Sequence, residues 1–157
     1  MRLSKIILSL VICLVSLNLM AEEPLQIHDA NGNSVQLSTF KGKWIILNFW
    51  AEWCDSCVRE IPELNNFYLH NQNKNVVLYG VNFDQLPLPE LKNTLTKMKI
   101  TYPELVENPA TAWSLAQIDV LPVTFIIAPN GKVAKTILGP NTEQSLLDAL
   151  KDLQRLA

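Results

Sequence analysis

The strongest constraint on this chain is a pair of cysteines, Cys54 and Cys57, between two segments of regular pattern. Residues 44–51 before the pair have the composition of a buried strand, and residues 58–64 after it continue as a helix. A helix N-terminus stabilises a thiolate, which for an ordinary thiol with a pKa near 8.5 is only about 3% populated at neutral pH. A strand, a short turn, Cys-x-x-Cys and a helix together predict a redox-active site.

Two other uses of the cysteine pair compete with this interpretation. A structural disulfide could join Cys54 and Cys57, but closing so short a loop stabilises a protein little compared with bridging a long one. A zinc site would need a second pair of ligands, and the histidines His28 and His70 are single and far apart in the sequence. We therefore prefer the redox interpretation and predict neither a bound metal nor a cofactor.

The first 21 residues have the pattern of a secretory signal peptide. Arg2 and Lys5 are basic, residues 6–20 are mostly apolar, and Ala21 precedes a polar stretch. The apolar run is short for a membrane-spanning helix, which needs about 20 apolar residues, so an uncleaved membrane anchor is the alternative. We expect a periplasmic protein whose mature part, residues 22–157, forms one domain.

Composition and charge exclude one class of partner. The chain carries 13 Lys and Arg against 15 Asp and Glu, for a formal net charge of −2. No basic run or stripe is present that would bind the phosphates of a nucleic acid. Nothing in the sequence requires a dimer, so we expect a monomer without nucleic-acid partners.

The remaining pattern alternates strands with helices. A hairpin is predicted over residues 25–37, since two alternating segments flank Asn31-Gly32, a strong turn signal. Further strands are predicted over residues 44–51, 76–83, 123–128 and 133–138, and helices over residues 91–98, 111–118, from the cysteine pair to about 71, and from about 141 onwards. Residues 102–107 are expected to be irregular or edge-like. This order indicates a single mixed α/β layered fold.

Three segments resemble the thioredoxin superfamily, and within it the exported TlpA, ResA and CcmG/DsbE-type thiol–disulfide oxidoreductases. They are residues 42–64 (GKWIILNFWAEWCDSCVREIPEL), 121–125 (LPVTF) and 130–133 (NGKV). The resemblance covers nearly all of the mature chain. It implies a thioredoxin-like fold, with a central mixed sheet flanked by helices, an N-terminal β-hairpin and a helical insertion over residues 84–118. Asn48 stands where cytoplasmic thioredoxins usually carry a buried Asp, as is common in the exported branch.

The resemblance also implies roles for the cysteines and for the proline loop. Cys54 would be the exposed nucleophile that forms a mixed disulfide with the substrate, and Cys57 would resolve it. Leu121-Pro122 would hold a cis peptide bond that faces the cysteines. The Leu121 backbone could then pair with an extended substrate segment. The alternative for Pro122 is an ordinary proline at the start of a strand.

Glu60 resembles the glutamate that follows the motif in ResA-type proteins. It comes three residues after Cys57 and therefore shares a helix face with it. A partly buried carboxylate there would relay a proton when Cys57 becomes a thiolate, and would raise the thiol pKa values by like-charge repulsion. The alternative is a solvated charge on the helix surface.

Two neighbours of Cys54 complete the predicted site. Asp55 departs from the branch, which often has Pro between the cysteines. An anion beside Cys54 disfavours the thiolate and predicts a reducing rather than a strongly oxidising pair, unless Asp55 faces water. Trp53 is expected to shield one side of the site.

These expectations lead to a periplasmic reductase of disulfides in exported proteins, with cytochrome c maturation as one setting. Electrons would come from a membrane donor of the DsbD/CcdA type. The alternatives are a disulfide donor or isomerase of the same fold, a thiol peroxidase and a copper-delivery module. Peroxidases usually place Thr or Ser three residues before the reactive cysteine, where this chain has Ala51. Copper modules use a wider cysteine spacing and a distal His.

Overall fold

A central five-stranded sheet and a separate two-stranded hairpin organise the computed structural model, which describes residues 26–36, 40, 42–71 and 74–156. The strands are β1 (Ile27–His28), β2 (Ser34–Val35), β3 (Trp44–Trp50), β4 (Val76–Asn82), β5 (Glu104–Leu105), β6 (Val123–Ile127) and β7 (Val133–Leu138). The helices are α1 (Asp55–Asn71), α2 (Leu88–Met98) and α3 (Glu143–Leu156).

Strand β3 lies in the middle of the sheet, whose order is β5-β4-β3-β6-β7. It runs parallel to β4 and antiparallel to β6. All seven of its residues are buried, which explains why the sequence shows a continuous apolar run instead of alternation. The predicted mixed sheet flanked by helices is confirmed.

Alternate residues of β3 enter two separate cores, because successive side chains of a strand point to opposite faces. One core joins Ile45, Leu47 and Phe49 to the N-terminal hairpin and to β6. The other joins Trp44 and Ile46 to the two long helices, through Leu64, Phe67, Leu146 and Leu150. The Cys-x-x-Cys motif therefore follows directly after the most enclosed strand of the fold.

Several local predictions are confirmed. The hairpin turns around Gly32, which has a φ of 88° that glycine adopts easily, and β1 pairs antiparallel with β2. Residues 104–105 form the edge strand β5. Helix α3 is capped by Thr142, whose Oγ1 accepts the Ser145 N–H at 3.1 Å. Leu25 and Leu37 of the predicted hairpin lie outside the described residues.

The helix predicted over residues 111–118 is wrong. This stretch forms one turn, which ends at Ser114 with a φ of 49°. The Ser114 N–H reaches the Thr111 carbonyl at 3.2 Å and the Leu115 N–H reaches the Ala110 carbonyl at 2.9 Å. These two bonds close the turn in the manner of a Schellman motif before a second turn can form. The insertion expected over residues 84–118 thus contains one helix, α2, followed by β5.

The predicted signal segment, residues 1–21, lies outside the described residues. Of the helices in the described part of the chain, none is long and apolar enough to span a membrane.

Truncation of Leu146 tests the packing of α3 on the sheet. Leu146 is fully buried, so Leu146→Ala should lower the free energy of unfolding by about 2–5 kcal/mol through lost contacts and a residual cavity. Leu156→Ala, at an exposed position of the same helix, should stay within about 0.5 kcal/mol of the wild type. Urea denaturation measures both. Equal losses in the two variants would contradict the described packing.

Candidate active site

Cys54 and Cys57 form a disulfide at the start of α1, with their Cα atoms 5.2 Å apart. Cys54 immediately precedes the helix, and its carbonyl accepts the Val58 N–H at 3.0 Å. The Cys57 N–H donates to Cys54 Sγ at 3.2 Å. The first sulfur therefore lies at the positive end of the helix dipole, where a thiolate would be stabilised.

Access to the two sulfurs is unequal. Cys54 is 6% exposed and Cys57 is 0% exposed, so an incoming partner reaches Cys54 first. The description of Cys54 as an exposed residue is nevertheless wrong for the disulfide form. Both cysteines belong to a buried apolar cluster with Trp50, Ala51 and Leu91, which covers them.

The two residues between the cysteines differ in their contacts. Ser56 Oγ lies 3.4 Å from Cys54 Sγ, and its hydroxyl is the donor because a disulfide sulfur carries no proton. Sequence reasoning gave Ser56 no role. Asp55 is exposed, so water screens its charge and the predicted effect on the thiolate weakens.

Trp53 lies on the surface beside the disulfide. The residue is 65% exposed, and its Nε1–H donates to Asp84 Oδ2 at 2.9 Å. Asp84, after the end of β4, was not identified from the sequence. Whether Trp53 shields the sulfurs stays a prediction, but its indole is fixed at one end.

The segment that contains Pro122 lies against the cluster of the two cysteines. The Leu121–Pro122 peptide bond is cis, the isomer that the family resemblance implied. Pro122 is buried, and Leu121 packs against the cluster that contains Cys54 and Cys57. The structure therefore brings Leu121 to the cysteines across a sequence separation of more than 60 residues.

Glu60 is the most unusual group near the motif, because its carboxyl is buried, with only 2% of the residue exposed. Asn48 Nδ2 donates to Glu60 Oε1 at 2.8 Å. The backbone N–H of Asn141 donates to Glu60 Oε2, also at 2.8 Å. The alternative of a solvated surface charge is therefore wrong.

A buried polar network, formed by Asn48, Glu60, Thr124 and Asn141, surrounds this carboxyl. Thr124 Oγ1 accepts from Asn48 Nδ2 at 3.1 Å and from Asn141 Nδ2 at 3.0 Å. Asn48, which stands where cytoplasmic thioredoxins usually carry a buried Asp, thus links Glu60 to Thr124. The sequence analysis gave no role to Thr124, although it lies directly opposite Asn48 in the β3–β6 register, and named position 141 only as the approximate start of the last helix.

Burial raises the pKa of Glu60 to about 7 from the ordinary value of 4.5. The hydrogen bonds from Asn141 and Asn48 favour the charged form and oppose this rise without cancelling it. A carboxyl that titrates near neutral pH can both take up and release a proton there. The Asn48 side chain can serve both protonation states of Glu60. Its N–H₂ group donates to the carboxylate, and after rotation of the amide its oxygen can accept from the protonated acid.

The two histidines are engaged elsewhere. His28 Nδ1 lies 3.1 Å from Glu107 Oε1, and His70 Nδ1 lies 2.8 Å from Glu143 Oε1. In the described part of the chain, no group of three or more His, Cys, Asp or Glu side chains is arranged to hold a metal ion.

Comparison with known families matches residues 20–136 to the family described as AhpC/TSA. The chain belongs to this family. ResA, a thiol–disulfide oxidoreductase of Bacillus subtilis, is 32% identical over 122 residues, which cover 78% of this chain and 68% of ResA. The chain is accordingly a ResA-like thiol–disulfide oxidoreductase.

Solved structures support the same fold. StoA from Bacillus subtilis aligns with a TM-score of 0.66 and 24% identity, covering 84% of this chain and 98% of StoA. A thiol:disulfide interchange protein from Chlorobium tepidum TLS aligns with a TM-score of 0.68 and 25% identity, covering 83% of this chain and 94% of that protein. The thioredoxin-like fold implied by the sequence is thus confirmed.

The pKa of Glu60 predicts a pH-dependent stability of the oxidised protein. The folded chain holds the Glu60 proton up to about pH 7, whereas the unfolded chain releases it near 4.5. The contribution of Glu60 to the free energy of unfolding should therefore fall by about 3 kcal/mol as the pH rises through this window, and should stay level above it. In Glu60→Gln the decline should be smaller than in the wild type by this amount when urea denaturation of both proteins is followed from pH 4.5 to 8.

The control is Glu90→Gln, which removes an exposed carboxyl from α2. The difference between the pH profiles of the two variants separates the contribution of the buried Glu60 carboxyl from the general effect of removing a negative charge. A Glu60→Gln profile that parallels the wild-type profile would contradict the raised pKa.

Proposed function

We propose that Cys54 and Cys57 are the redox centre of an exported reductase that acts on disulfides of other envelope proteins. The observation that carries this proposal is the disulfide at the start of α1, in which Cys54 is the more exposed of the two residues. The ResA-like relationship supports protein disulfides as the substrate class.

In the proposed cycle, the Cys54 thiolate attacks one sulfur of the substrate disulfide. A mixed disulfide forms, and the first substrate sulfur leaves as a thiolate. The Cys57 thiolate then attacks Cys54 Sγ, which releases the second substrate sulfur and closes the Cys54–Cys57 disulfide. Two electrons pass from the protein to the substrate, and the helix N-terminus stabilises the attacking thiolate.

Glu60 would accept the proton that Cys57 loses before resolution. It lies one helical turn beyond Cys57, and its pKa of about 7 suits a proton acceptor at neutral pH. Asn48 and the Asn141 backbone donate to both carboxylate oxygens, so the charged form has hydrogen-bond partners until it takes up the proton.

The substrate would lie along the Leu121 backbone as an extended segment, with its disulfide over Cys54. Apolar side chains border this region at the surface: Trp53 beside Cys54, and Val120 beside Leu121. Such a surface would bind an unfolded segment through backbone pairing and apolar contacts, as the exposed cysteines of an apocytochrome c would require.

The proposed cellular setting is supported by the pattern of the N-terminal segment. Residues 1–21 would direct the chain to the periplasm, either as a cleaved signal or as an anchor. A reductase there needs electrons from across the membrane, which a donor of the DsbD/CcdA type would supply to a monomeric acceptor. Since Asp55 is exposed, the reducing direction depends on the resemblance, and a disulfide donor or isomerase is the alternative.

The redox equilibrium of the Cys54–Cys57 pair tests this direction. A potential near the thioredoxin value of about −270 mV in glutathione and dithiothreitol buffers would support the reductase. A potential near about −120 mV, as in strong periplasmic oxidants, would overturn it in favour of a disulfide donor.

Single cysteine variants test the assignment of nucleophile and resolving residue. Cys57→Ser should accumulate a mixed disulfide with a disulfide-bonded protein such as insulin, because nothing resolves it. Cys54→Ser should trap little or none, since Cys57 is buried. Non-reducing gels with mass spectrometry measure the adducts. Equal trapping by both variants would contradict the assigned roles.

Removal of the Glu60 carboxyl tests the proposed proton transfer. In Glu60→Gln, resolution of the mixed disulfide should slow by about 100-fold at neutral pH, the scale of a lost general base. The thiol pKa values should fall because a neighbouring negative charge is absent. Stopped-flow release of the second substrate thiol measures resolution, and alkylation rates across pH measure the thiols.

Glu63→Gln is the matched control for this variant, since it removes a partly exposed carboxyl three residues further along α1. Its pH–rate profile should follow that of the wild type. Unchanged profiles in Glu60→Gln as well would show that Glu60 takes no part in the proton transfer.

A further inference from the structure

A second carboxyl, that of Glu104 on β5, is as deeply buried as Glu60 but has no part in the proposed cycle. The residue is 2% exposed. Its Oε1 accepts the indole Nε1–H of Trp50 at 2.9 Å. Burial of an acid that reaches from an edge strand to the central strand costs folding free energy, which its hydrogen bonds must offset.

The neighbouring strand is shaped to permit this contact. Gly80 of β4 pairs with Glu104 in the sheet register and lies between the edge strand and β3. A Cβ at position 80 would overlap Glu104 Oε2, and would come within 2.9 Å of Tyr102 Cε2. The missing side chain of Gly80 therefore lets the Glu104 carboxyl pass over β4 towards Trp50.

Trp50 connects this carboxyl to the redox pair. Its ring is almost fully buried and belongs to the same apolar cluster as Cys54 and Cys57. Trp50 also contacts the loop that follows β4, since its backbone carbonyl accepts the Phe83 N–H at 2.8 Å. The indole thus helps to enclose the sulfurs and is tethered at its N–H by Glu104.

We propose that Glu104 is a positioning residue for the redox pair, which holds the Trp50 indole against the Cys54–Cys57 cluster and so limits the access of water to the sulfurs. This inference rests on the proposed function of the two cysteines. Glu104 acts through Trp50 and does not exchange protons with the substrate.

The charge state of Glu104 suits this role. Burial raises the pKa of its carboxyl well above the ordinary value, and the hydrogen bonds from Trp50 and the Asn82 backbone oppose this rise only in part. As a neutral acid, Glu104 accepts the indole N–H without placing another negative charge near the thiolates. A glutamine in its place keeps the acceptor and the neutral charge, so it is a conservative replacement.

Release of the indole should favour the dithiol form. Water admitted to the cluster solvates thiolates better than the apolar surroundings do, which lowers the thiol pKa values and makes the pair easier to reduce. Glu104→Leu should therefore shift the redox equilibrium constant against dithiothreitol by about threefold or more, in line with the coupling of residues in contact. Glu104→Gln should stay within about twofold of the wild type.

A double-mutant cycle with Trp50→Phe separates positioning from a general structural effect. Phe has no N–H to tether, so Trp50→Phe should itself shift the equilibrium towards the dithiol, and Glu104→Leu should add nothing in that background. Trp44→Phe, at the opposite end of β3 and outside the cysteine cluster, is the matched control and should leave the equilibrium unchanged. Thiol alkylation followed by gel shift reads the equilibrium without relying on tryptophan fluorescence.

Each outcome decides the matter. An unchanged equilibrium in Glu104→Leu, an equal shift in the Trp50→Phe background, or a shift in Glu104→Gln as large as that in Glu104→Leu would overturn the inference. If Glu104→Leu does not fold, Trp50→Phe compared with Trp44→Phe decides it alone, and equal equilibria in these two would overturn it. A wild-type pair that cannot be reduced at all would instead overturn the proposed function.

Discussion

Strand β3 is enclosed on both sides and on both edges, and a strand in that position cannot carry a polar side chain without a partner. Asn48 carries the one side-chain amide of this strand, and the groups that accept from its N–H₂, Glu60 and Thr124, are themselves buried. The position of the redox helix on the sheet is therefore fixed by polar contacts as well as by apolar packing. Such contacts are directional, so they define the position of α1 more narrowly than packing alone.

The two buried acids show how the same side chain serves different ends. Glu60 receives hydrogen bonds at both oxygens from separate elements, and this keeps its ionised form within reach at neutral pH. Glu104 also receives two donors, the Trp50 indole and the Asn82 backbone, yet burial raises its pKa well above the ordinary value, so its neutral form is the stable one. Burial is thus the dominant effect on the pKa of both acids, and the donors that favour the charged form oppose it only in part.

The elements that depend on local sequence pattern could be predicted from the sequence, whereas the side-chain contacts between residues distant in the chain could not. The strand, turn and helix around Cys54 follow from periodicity, and the family resemblance supplied the remaining architecture. The predicted helix over residues 111–118 ends early at Ser114, because the left-handed conformation of a serine has no clear signal in the sequence. The roles of Thr124, Asn141 and Glu104 were not predicted because each depends on a partner that is distant in the sequence.

The bond between the Asn141 backbone and Glu60 also bears on how the protein is made. The chain is synthesised from its N-terminus, so the strand and helix that carry both cysteines are complete long before residue 141 exists. Until β6 and the segment before α3 have docked, Glu60 lacks its burial and behaves as an ordinary surface acid. The cysteines are thus present from early in synthesis, while the buried surroundings of Glu60, one helical turn beyond Cys57, are complete only with the final quarter of the chain.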